Sequence, residues 1–118
     1  MMIKPLKSTN PIKYDLIIKL QNTKRRIWKN IAEKLNKRRK NAIKVNLNKI
    51  NKFSKENEVI IVPGKVLGEG SIDHKITLAA FSYSESAKIK LLDCKTTILS
   101  IDELLEKNPS GANVKIIT

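Results

Sequence analysis

Apolar residues at helical spacing open the chain. Ile12, Leu16 and Leu20 recur every four residues with Ile17 beside them. This single apolar stripe predicts a first helix over residues 11 to 22. The dipeptide Asn10-Pro11 stands in front of it in the order expected for a cap followed by proline in the first helical turn. We therefore expect a helix that begins at residue 11.

A second amphipathic helix is predicted after Thr23, whose hydroxyl is a candidate cap for its first turn. The apolar positions of this helix are Ile27, Trp28, Ile31, Ala32 and Leu35. Its other face carries Lys24, Arg25, Lys29 and Lys34. The pattern ends near Asn36, so the helix has one face to bury and one cationic face for solvent or a partner.

Beyond residue 53 short apolar runs alternate with helical segments. Strands are predicted at residues 59–62, 65–67, 74–81, 95–99 and 114–117. In the third of these, Ile76, Leu78 and Ala80 lie on one face and Lys75, Thr77 and Ala79 on the other. Ser84 is a cap candidate for a helix that ends near Asp93, and Ser100 has the capping-box spacing to Glu103. This repeated order of strand, serine and helix predicts an α/β fold with a weak internal repeat.

The stretch VPGKVLGEG, residues 62 to 70, resembles a phosphate loop in composition only. A Walker A loop needs Lys directly after its second glycine and a helix behind it, whereas Lys65 follows the first glycine and leads into a strand. The glycine spacing of a dinucleotide fingerprint is also missing. Pro63-Gly64 fits the central pair of a type II turn, and residues 68–70 permit a second reversal. The stretch therefore predicts turns between strands.

Charge changes this picture because it is confined to one part of the chain. Residues 1–50 contain 15 Lys and Arg and two acids, whereas residues 51–118 contain nine of each. A basic region joined to a neutral one is expected to bind a polyanion, most readily nucleic acid. A membrane surface would require aromatic and leucine residues opposite the basic ones, and only Trp28 offers this. We predict a basic part at residues 1–52 and a neutral α/β core at residues 53–118.

The centre of the basic part is the run Lys37-Arg38-Arg39-Lys40. Four adjacent cations repel one another, so residues 36–50 are predicted to become ordered only against their partner. Arg binds two phosphate oxygens through its planar fork, and Lys supplies a point charge. Asn46, Asn48 and Asn51 stand among Lys44, Lys49 and Lys52. Their amides are candidate donors to sugar and base edges, or else helix caps and turn residues.

Candidates for catalysis are few. His74, which follows Asp73, is the one histidine. Neighbours on a strand point to opposite faces, so the two side chains are predicted to diverge. No metal-ligand spacing and no hydrolase elbow occur, so we predict no enzyme, no metal, no cofactor and no small-molecule substrate. Cys94 is the one cysteine and cannot form an internal disulfide, which predicts a buried thiol in a reducing compartment. No apolar run is long enough to span a bilayer, and we expect a soluble intracellular protein of one globular unit.

Several ordered pieces of the chain resemble one family. They are TNP at 9–11, IW..IAE.L at 27–35, VNL..IN at 45–51, VPGKVLG.G..DHK.T.AAFS.SE.A at 62–87 and SI.EL.E.NP.G..V.I at 100–116. Together with the basic run they resemble the eighteen-e family of large-subunit ribosomal proteins of archaea and eukaryotes, a fold relative of the bacterial fifteen-type protein. The short N-terminal lead is similar to the archaeal form. The run NKRRKNAIK departs from the family, which often has proline and more arginine there.

This resemblance implies a small single α/β domain of irregular repeated strand-strand-helix units, with a basic N-terminal helical and extended region on large-subunit rRNA. It also implies neighbouring large-subunit ribosomal proteins as partners, a place in the cytoplasmic ribosome and no catalysis. The alternative is a free nucleic-acid-binding protein of chromatin or regulation. Trp28 is predicted to pack inside the protein in preference to stacking on a base. The RNA-binding candidates are Lys24, Arg25, Lys29, Lys37, Arg38, Arg39, Lys40, Lys44, Asn46, Lys49, Lys52, Gly64 and Lys65.

Overall fold

The computed structural model describes residues 11–37, 41–94 and 96–118. The chain divides into two compact units, Met1–Ala42 and Ile43–Thr118. We call them the helical unit and the α/β unit. This boundary of compactness lies earlier in the chain than the predicted division between residues 52 and 53. That division, one of charge and RNA-binding role, stays a prediction.

The helical unit contains α1, Pro11–Gln21, and α2, Arg26–Leu35, which pack against each other. Both predicted helices are confirmed. Their buried apolar side chains are Ile17, Leu20, Trp28, Ile31, Ala32 and Leu35. The predicted stripe of α1 is wrong at its start, because Ile12 is 75% exposed. The buried side of α1 is therefore centred on its second half.

The turn between α1 and α2 corrects one predicted cap. The Thr23 hydroxyl donates a hydrogen bond to the Leu20 carbonyl at 2.9 Å, so it closes the end of α1. The N-cap position of α2 is Arg25, which makes no capping hydrogen bond through its side chain. The predicted cap Asn10 of the first helix lies outside the described residues. Helix α2 consequently begins without the serine or threonine cap that the sequence pattern favoured.

The α/β unit is a five-stranded sheet with three helices. Its elements are β1 Lys44–Asn46, α3 Leu47–Phe53, β2 Val59–Leu67, β3 Thr77–Tyr83, α4 Glu85–Asp93, β4 Thr97–Ser100, α5 Ile101–Lys107 and β5 Val114–Ile116. The strand order is β1-β2-β3-β4, and β5 also pairs with β2. All four pairings are parallel, so the predicted α/β class is confirmed. Strand β2 is long enough to pair with β5 near its start and with β1 near its end.

The core lies on both faces of this sheet. One apolar cluster joins the sheet to α3 and α4 through Leu47, Ile50, Ile60, Val62, Val66, Leu78, Ala80, Ala87 and Leu91, among others. Ile61, Ala79 and Leu99 share one register row and are buried outside that cluster, while α5 packs against β3 and β4. Ala79 lies on the face of β3 opposite Leu78 and Ala80, as predicted, and this second face is buried there as well. Parallel strands covered on both sides are apolar on both sides.

Strand β2 replaces the predicted pair of strands and their turn. Residues 59–67 form one strand that runs through Pro63-Gly64, with a register shift against β3 between Val62 and Lys65. Gly64 does not have a positive φ, so a type II turn at this pair is wrong. A Cβ at Gly64 would overlap the Ile43 carbonyl oxygen, which accepts the Lys65 N–H at 3.0 Å. Glycine is needed here for close approach of the segment leading into β1.

The two predicted serine caps are confirmed. Ser84 accepts a hydrogen bond from the Ala87 N–H at 3.2 Å at the start of α4. Ser100 and Glu103 form the complete capping box of α5, with each side chain bonded to the other residue's N–H. Strand β4 begins at Thr97, and Lys95, with which we began that strand, lies outside the described residues. The order of strand, serine and helix thus occurs twice, as expected.

Residues 44–50 correct the prediction of a segment ordered only by its partner. Three of them form β1, which pairs with residues 65–67 of β2. The next residues begin α3, and Leu47 and Ile50 are buried. The prediction is wrong for this part because the apolar residues after Ala42 pack within the α/β unit.

Cys94 is partly buried against the main core. Among the described residues, no helix is both long and apolar enough to cross a bilayer.

Candidate nucleic-acid interface

The start of α2 concentrates positive charge. Lys24, Arg25 and Arg26 are exposed and consecutive, and the first turn of α2 contains no acidic residue. Because a helix N-terminus carries partial positive charge, cations there are unfavourable unless an anion is close. Lys29, one turn further, is half-buried. The N-terminal end of a helix usually attracts anions, and at α2 this end carries three further cationic side chains.

A second cationic site lies on the sheet. Lys44 of β1 and Lys65 of β2 are register partners, so their side chains lie on the same face, and both are exposed. Ser82 is the partner of Lys65 on β3. Like charges directly opposite on neighbouring strands destabilise a sheet. Among the described residues no carboxylate lies within salt-bridge distance of either lysine. We call Lys44 and Lys65 the lysine pair. A bound anion would relieve the repulsion between them.

Asn46 extends the lysine pair with a directed donor. Its Oδ1 accepts a hydrogen bond from the Glu69 N–H at 3.2 Å. Because an N–H donor must face oxygen, this bond assigns the two ends of the amide. Asn46 lies two residues after Lys44 on β1, and its Nδ2 makes no hydrogen bond to any described residue. The predicted donor role of Asn46 therefore has a free NH₂ group to perform it.

Asn51 follows the other alternative given for these amides. Its Oδ1 accepts the Asp73 N–H at 3.1 Å, and its side chain also hydrogen-bonds the Asp73 carboxylate. It is consequently a turn-stabilising residue within the protein.

Lysines of α3 already have contacts within the α/β unit. Lys49 Nζ donates to the Thr118 carbonyl oxygen at 2.6 Å. Lys52 Nζ lies 5.5 Å from the centroid of the Phe53 ring, at cation–π distance. Both lysines are exposed, so their remaining donors face solvent. They differ from the lysine pair in having intramolecular partners before any ligand is bound.

The other candidates have different surroundings. Lys37 is exposed, and residues 38–40 of the basic run lie outside the described residues. Gly64 is buried against the Ile43 carbonyl, where it holds Lys65 in position. Trp28 is 0% exposed, so the predicted packing role is confirmed and base stacking is wrong. The structure thus brings Lys44, Asn46 and Lys65 together, and, separately, Lys24 and Arg25.

The side chains of Asp73 and His74 converge, contrary to our prediction. His74 Nδ1 lies 2.8 Å from Asp73 Oδ1, and His74 Nε2 lies 2.7 Å from Ser54 Oγ. These residues precede β3, so strand alternation does not apply to them. The hydrogen bond from His74 lowers the pKa of the Asp73 carboxyl below its ordinary value. Ser54 is only 8% exposed at the end of α3. The contacts from Ser54 to His74 and from His74 to Asp73 therefore join α3 to the segment before β3.

Sequence reasoning missed two cations. Arg26 is exposed at the first position of α2, and its adjacency to Arg25 was a sufficient signal. Lys90 of α4 donates through Nζ to the carbonyl oxygens of Gly68 at 2.6 Å and Gly70 at 2.9 Å. No local pattern links a helix to a loop twenty residues earlier. The role of Lys90 emerges only from the fold.

A parallel α/β unit and a helical unit that both expose clustered cations are typical of small basic proteins that bind nucleic acid. The comparison with known families is specific within this class. The family described as "Ribosomal protein 60S L18 and 50S L18e" matches residues 4–118. The chain belongs to this family, which confirms the resemblance read from its motifs.

Curated relatives extend this result along nearly the whole chain. The large ribosomal subunit protein eL18 of Methanoregula boonei is 42% identical, over 98% of this chain and 99% of the relative. The protein of the same name from Methanococcus maripaludis is 40% identical over the same shares. That of Archaeoglobus fulgidus is 44% identical over 77% of this chain and 78% of its own. The chain is thus a ribosomal protein of archaeal type, a structural constituent and not an enzyme.

Proposed function

We propose that the protein binds and stabilises large-subunit rRNA through its basic surfaces. One surface is the start of α2 with Lys24, Arg25 and Lys29, and the other is the lysine pair with Asn46. The run Lys37-Arg38-Arg39-Lys40 and the helix lysines Lys49 and Lys52 are further phosphate ligands in this proposal. The protein then resides in the cytoplasmic ribosome, beside other proteins of the large subunit.

The lysine pair is the observation that supports this proposal most strongly. Lys44 and Lys65 are exposed register partners on parallel strands, and no carboxylate of the described residues lies within salt-bridge distance of either. This arrangement costs free energy in the free protein and is favourable once a phosphate lies between the side chains. Binding also releases the counterions condensed on RNA, which makes the affinity dependent on salt.

The two surfaces have different chemistry toward RNA. The guanidinium groups of Arg25 and Arg26 can each hold two phosphate oxygens. The lysine pair binds phosphate as point charges, and the NH₂ of Asn46 beside it donates to a sugar or base oxygen. Because lysine and the amide donor carry little sequence information, we expect recognition of RNA shape and backbone to predominate.

Sedimentation of cell extract tests the proposed function. The tagged protein, run on a sucrose gradient with intact ribosomal subunits, is expected to sediment with the large subunit. Treatment of the extract with ribonuclease before the run should move it to the top. If the protein stays at the top of the untreated gradient while large subunits run below it, the proposal is wrong. That result would favour a free nucleic-acid-binding protein.

A further inference from the structure

The loop after β2 is held on one side by β1 and α3. We call residues 68–73 the glycine loop. Its Glu69 N–H donates to Asn46 Oδ1 at 3.2 Å, and its Glu69 carbonyl accepts the Asn48 N–H at 3.0 Å. The Asp73 N–H donates to Asn51 Oδ1 at 3.1 Å. Three hydrogen bonds therefore join the loop to the segment that carries Asn46.

On its other side the glycine loop is held by α4. Lys90 Nζ bridges the carbonyl oxygens of Gly68 and Gly70 at 2.6 and 2.9 Å. A Cβ at Gly68 would overlap the Ser86 hydroxyl, and one at Gly70, where φ is +93°, would overlap Asn48. The loop backbone is thus seated directly between α3 and α4. Its carbonyl groups face an ammonium that satisfies them both.

We propose that Lys90 is a positioning residue of the rRNA-binding surface and not a phosphate ligand. By holding Gly68 and Gly70 it fixes the Glu69 peptide, which orients the Asn46 amide beside the lysine pair. This inference rests on the proposed function, because it assigns a role within the same surface. It separates Lys90 from Lys44 and Lys65, which are expected to contact RNA directly.

The donors of Lys90 give the physical reason for this assignment. An ammonium group has three N–H donors, and two of them are bonded to backbone oxygens of the glycine loop. Moving the side chain to a phosphate would leave both carbonyl oxygens without their partner. A loop freed in this way would no longer hold the Asn46 Oδ1. If Lys90 bound phosphate in place of these carbonyl oxygens, the glycine loop and the Asn46 amide would consequently lose their fixed positions.

Salt-dependent rRNA binding distinguishes a positioning residue from a ligand. Lys90→Met retains the apolar stem and removes the ammonium, and Lys88→Met, exposed on the same helix, is the matched loss of charge. We expect Lys90→Met to weaken rRNA binding about 3- to 10-fold relative to Lys88→Met. The slope of log affinity against log salt should equal that of Lys88→Met. Lys90→Arg, which keeps the donors, should restore most of the affinity.

Amide exchange and thermal unfolding complete the test. In Lys90→Met the amides of Glu69 and Asn48 should exchange faster, while Tm stays near that of Lys88→Met. A slope smaller than that of Lys88→Met by about 0.7 to 0.9 would make Lys90 a direct ligand and overturn the inference. Unchanged affinity, or unchanged amide exchange, would overturn it as well. Failure of the unaltered protein to bind rRNA would contradict the proposed function itself.

Discussion

The helices of the basic half and of the neutral half begin in different ways. Helices α4 and α5 start with Ser84 and Ser100, whose side chains cap them, and both have acidic residues in the first turn. Helices α2 and α3 start with Arg25 and Asn46, which make no side-chain cap, and their first turns contain no acid. Side chains thus cap α4 and α5, whereas α2 and α3 begin without a side-chain cap, and in α3 the Asn48 N–H donates to the Glu69 carbonyl oxygen instead.

This contrast separates helix starts that stabilise the fold from helix starts that are open to an external anion. A serine cap and first-turn acids complement the positive end of a helix within the protein. Cations at that end, as at α2, give up this stabilisation and leave an attractive position for an external anion. In the sheet, Lys44 of the basic part and Lys65 of the neutral core are both exposed and are register partners, so like charges lie on neighbouring strands. In the proposed function, the binding groups are the residues at which like charges lie close together in the free protein.

The largest expected effect concerns the close approach of the Gly64 backbone to the Ile43 carbonyl in the α/β unit. Gly64→Ala should lower the free energy of unfolding by about 1–3 kcal/mol, because the added Cβ overlaps the Ile43 carbonyl oxygen. Denaturant unfolding measures this change, and amide exchange locates it. Protection should fall in β1 and β2 and remain unchanged in α1 and α2.

The exposed loop residue Ser71 supplies the control for this glycine. Ser71→Ala should leave the unfolding free energy within about 0.5 kcal/mol of the unaltered protein. Equal loss of protection in the helical unit after Gly64→Ala would break the comparison, because the two units would then unfold as one.

Smaller effects on the unfolding free energy, opposite in sign to each other, are expected from removing the cap of α5 and adding one to α2. Ser100→Ala should lower the unfolding free energy by about 1 kcal/mol through loss of the α5 cap. Arg25→Ser should raise it by about 0.5–1 kcal/mol, since it supplies a cap and removes a cation from the positive end of α2. The same Arg25→Ser variant should bind rRNA more weakly. Thermal unfolding and a filter-binding assay measure the two quantities.

The sign of the stability change in Arg25→Ser shows whether Arg25 serves RNA binding or the fold. Arg25→Lys is the control, because it keeps the charge and provides no cap. It should leave stability unchanged and weaken binding less than the serine variant. A serine variant that is both less stable and unimpaired in binding would show that Arg25 serves the fold.

Local features of this fold were predictable from sequence. The helices of the helical unit, the Ser84 cap and the capping box of α5 depend on residues within a few positions of each other. The two serine caps bond N–H groups three positions further along the chain, so the sequence spacing predicts them directly. The family motifs are similarly local, which is why their resemblance was specific.

Non-local pairing explains what sequence reasoning did not find. Pro63-Gly64 has turn composition, but β2 continues through it because β1, β3 and β5 all pair with that strand. The lysine pair exists only through the register of two parallel strands. The hydrogen bonds of Lys90 to the glycine loop and the contact of His74 with Ser54 depend on tertiary packing in the same way. Candidate ligands were thus predictable as residues, and their grouping was not.

Salt-dependent binding shows directly whether the lysine pair binds rRNA phosphate, as we propose. The double variant Lys44→Gln with Lys65→Gln removes the pair, and Lys75→Gln with Lys88→Gln removes two exposed lysines of the neutral half. Both variants lose the same charge, so only the position of the charge differs between them. The slope of log affinity against log salt, measured on large-subunit rRNA, counts the phosphate contacts that each variant has lost.

We expect the slope of the Lys44 and Lys65 variant to be smaller by about 1.4 to 1.8, from the loss of two phosphate contacts. The slope of the Lys75 and Lys88 variant should be unchanged. Equal slopes for the two variants would contradict the claim and assign the lysine pair to solvent.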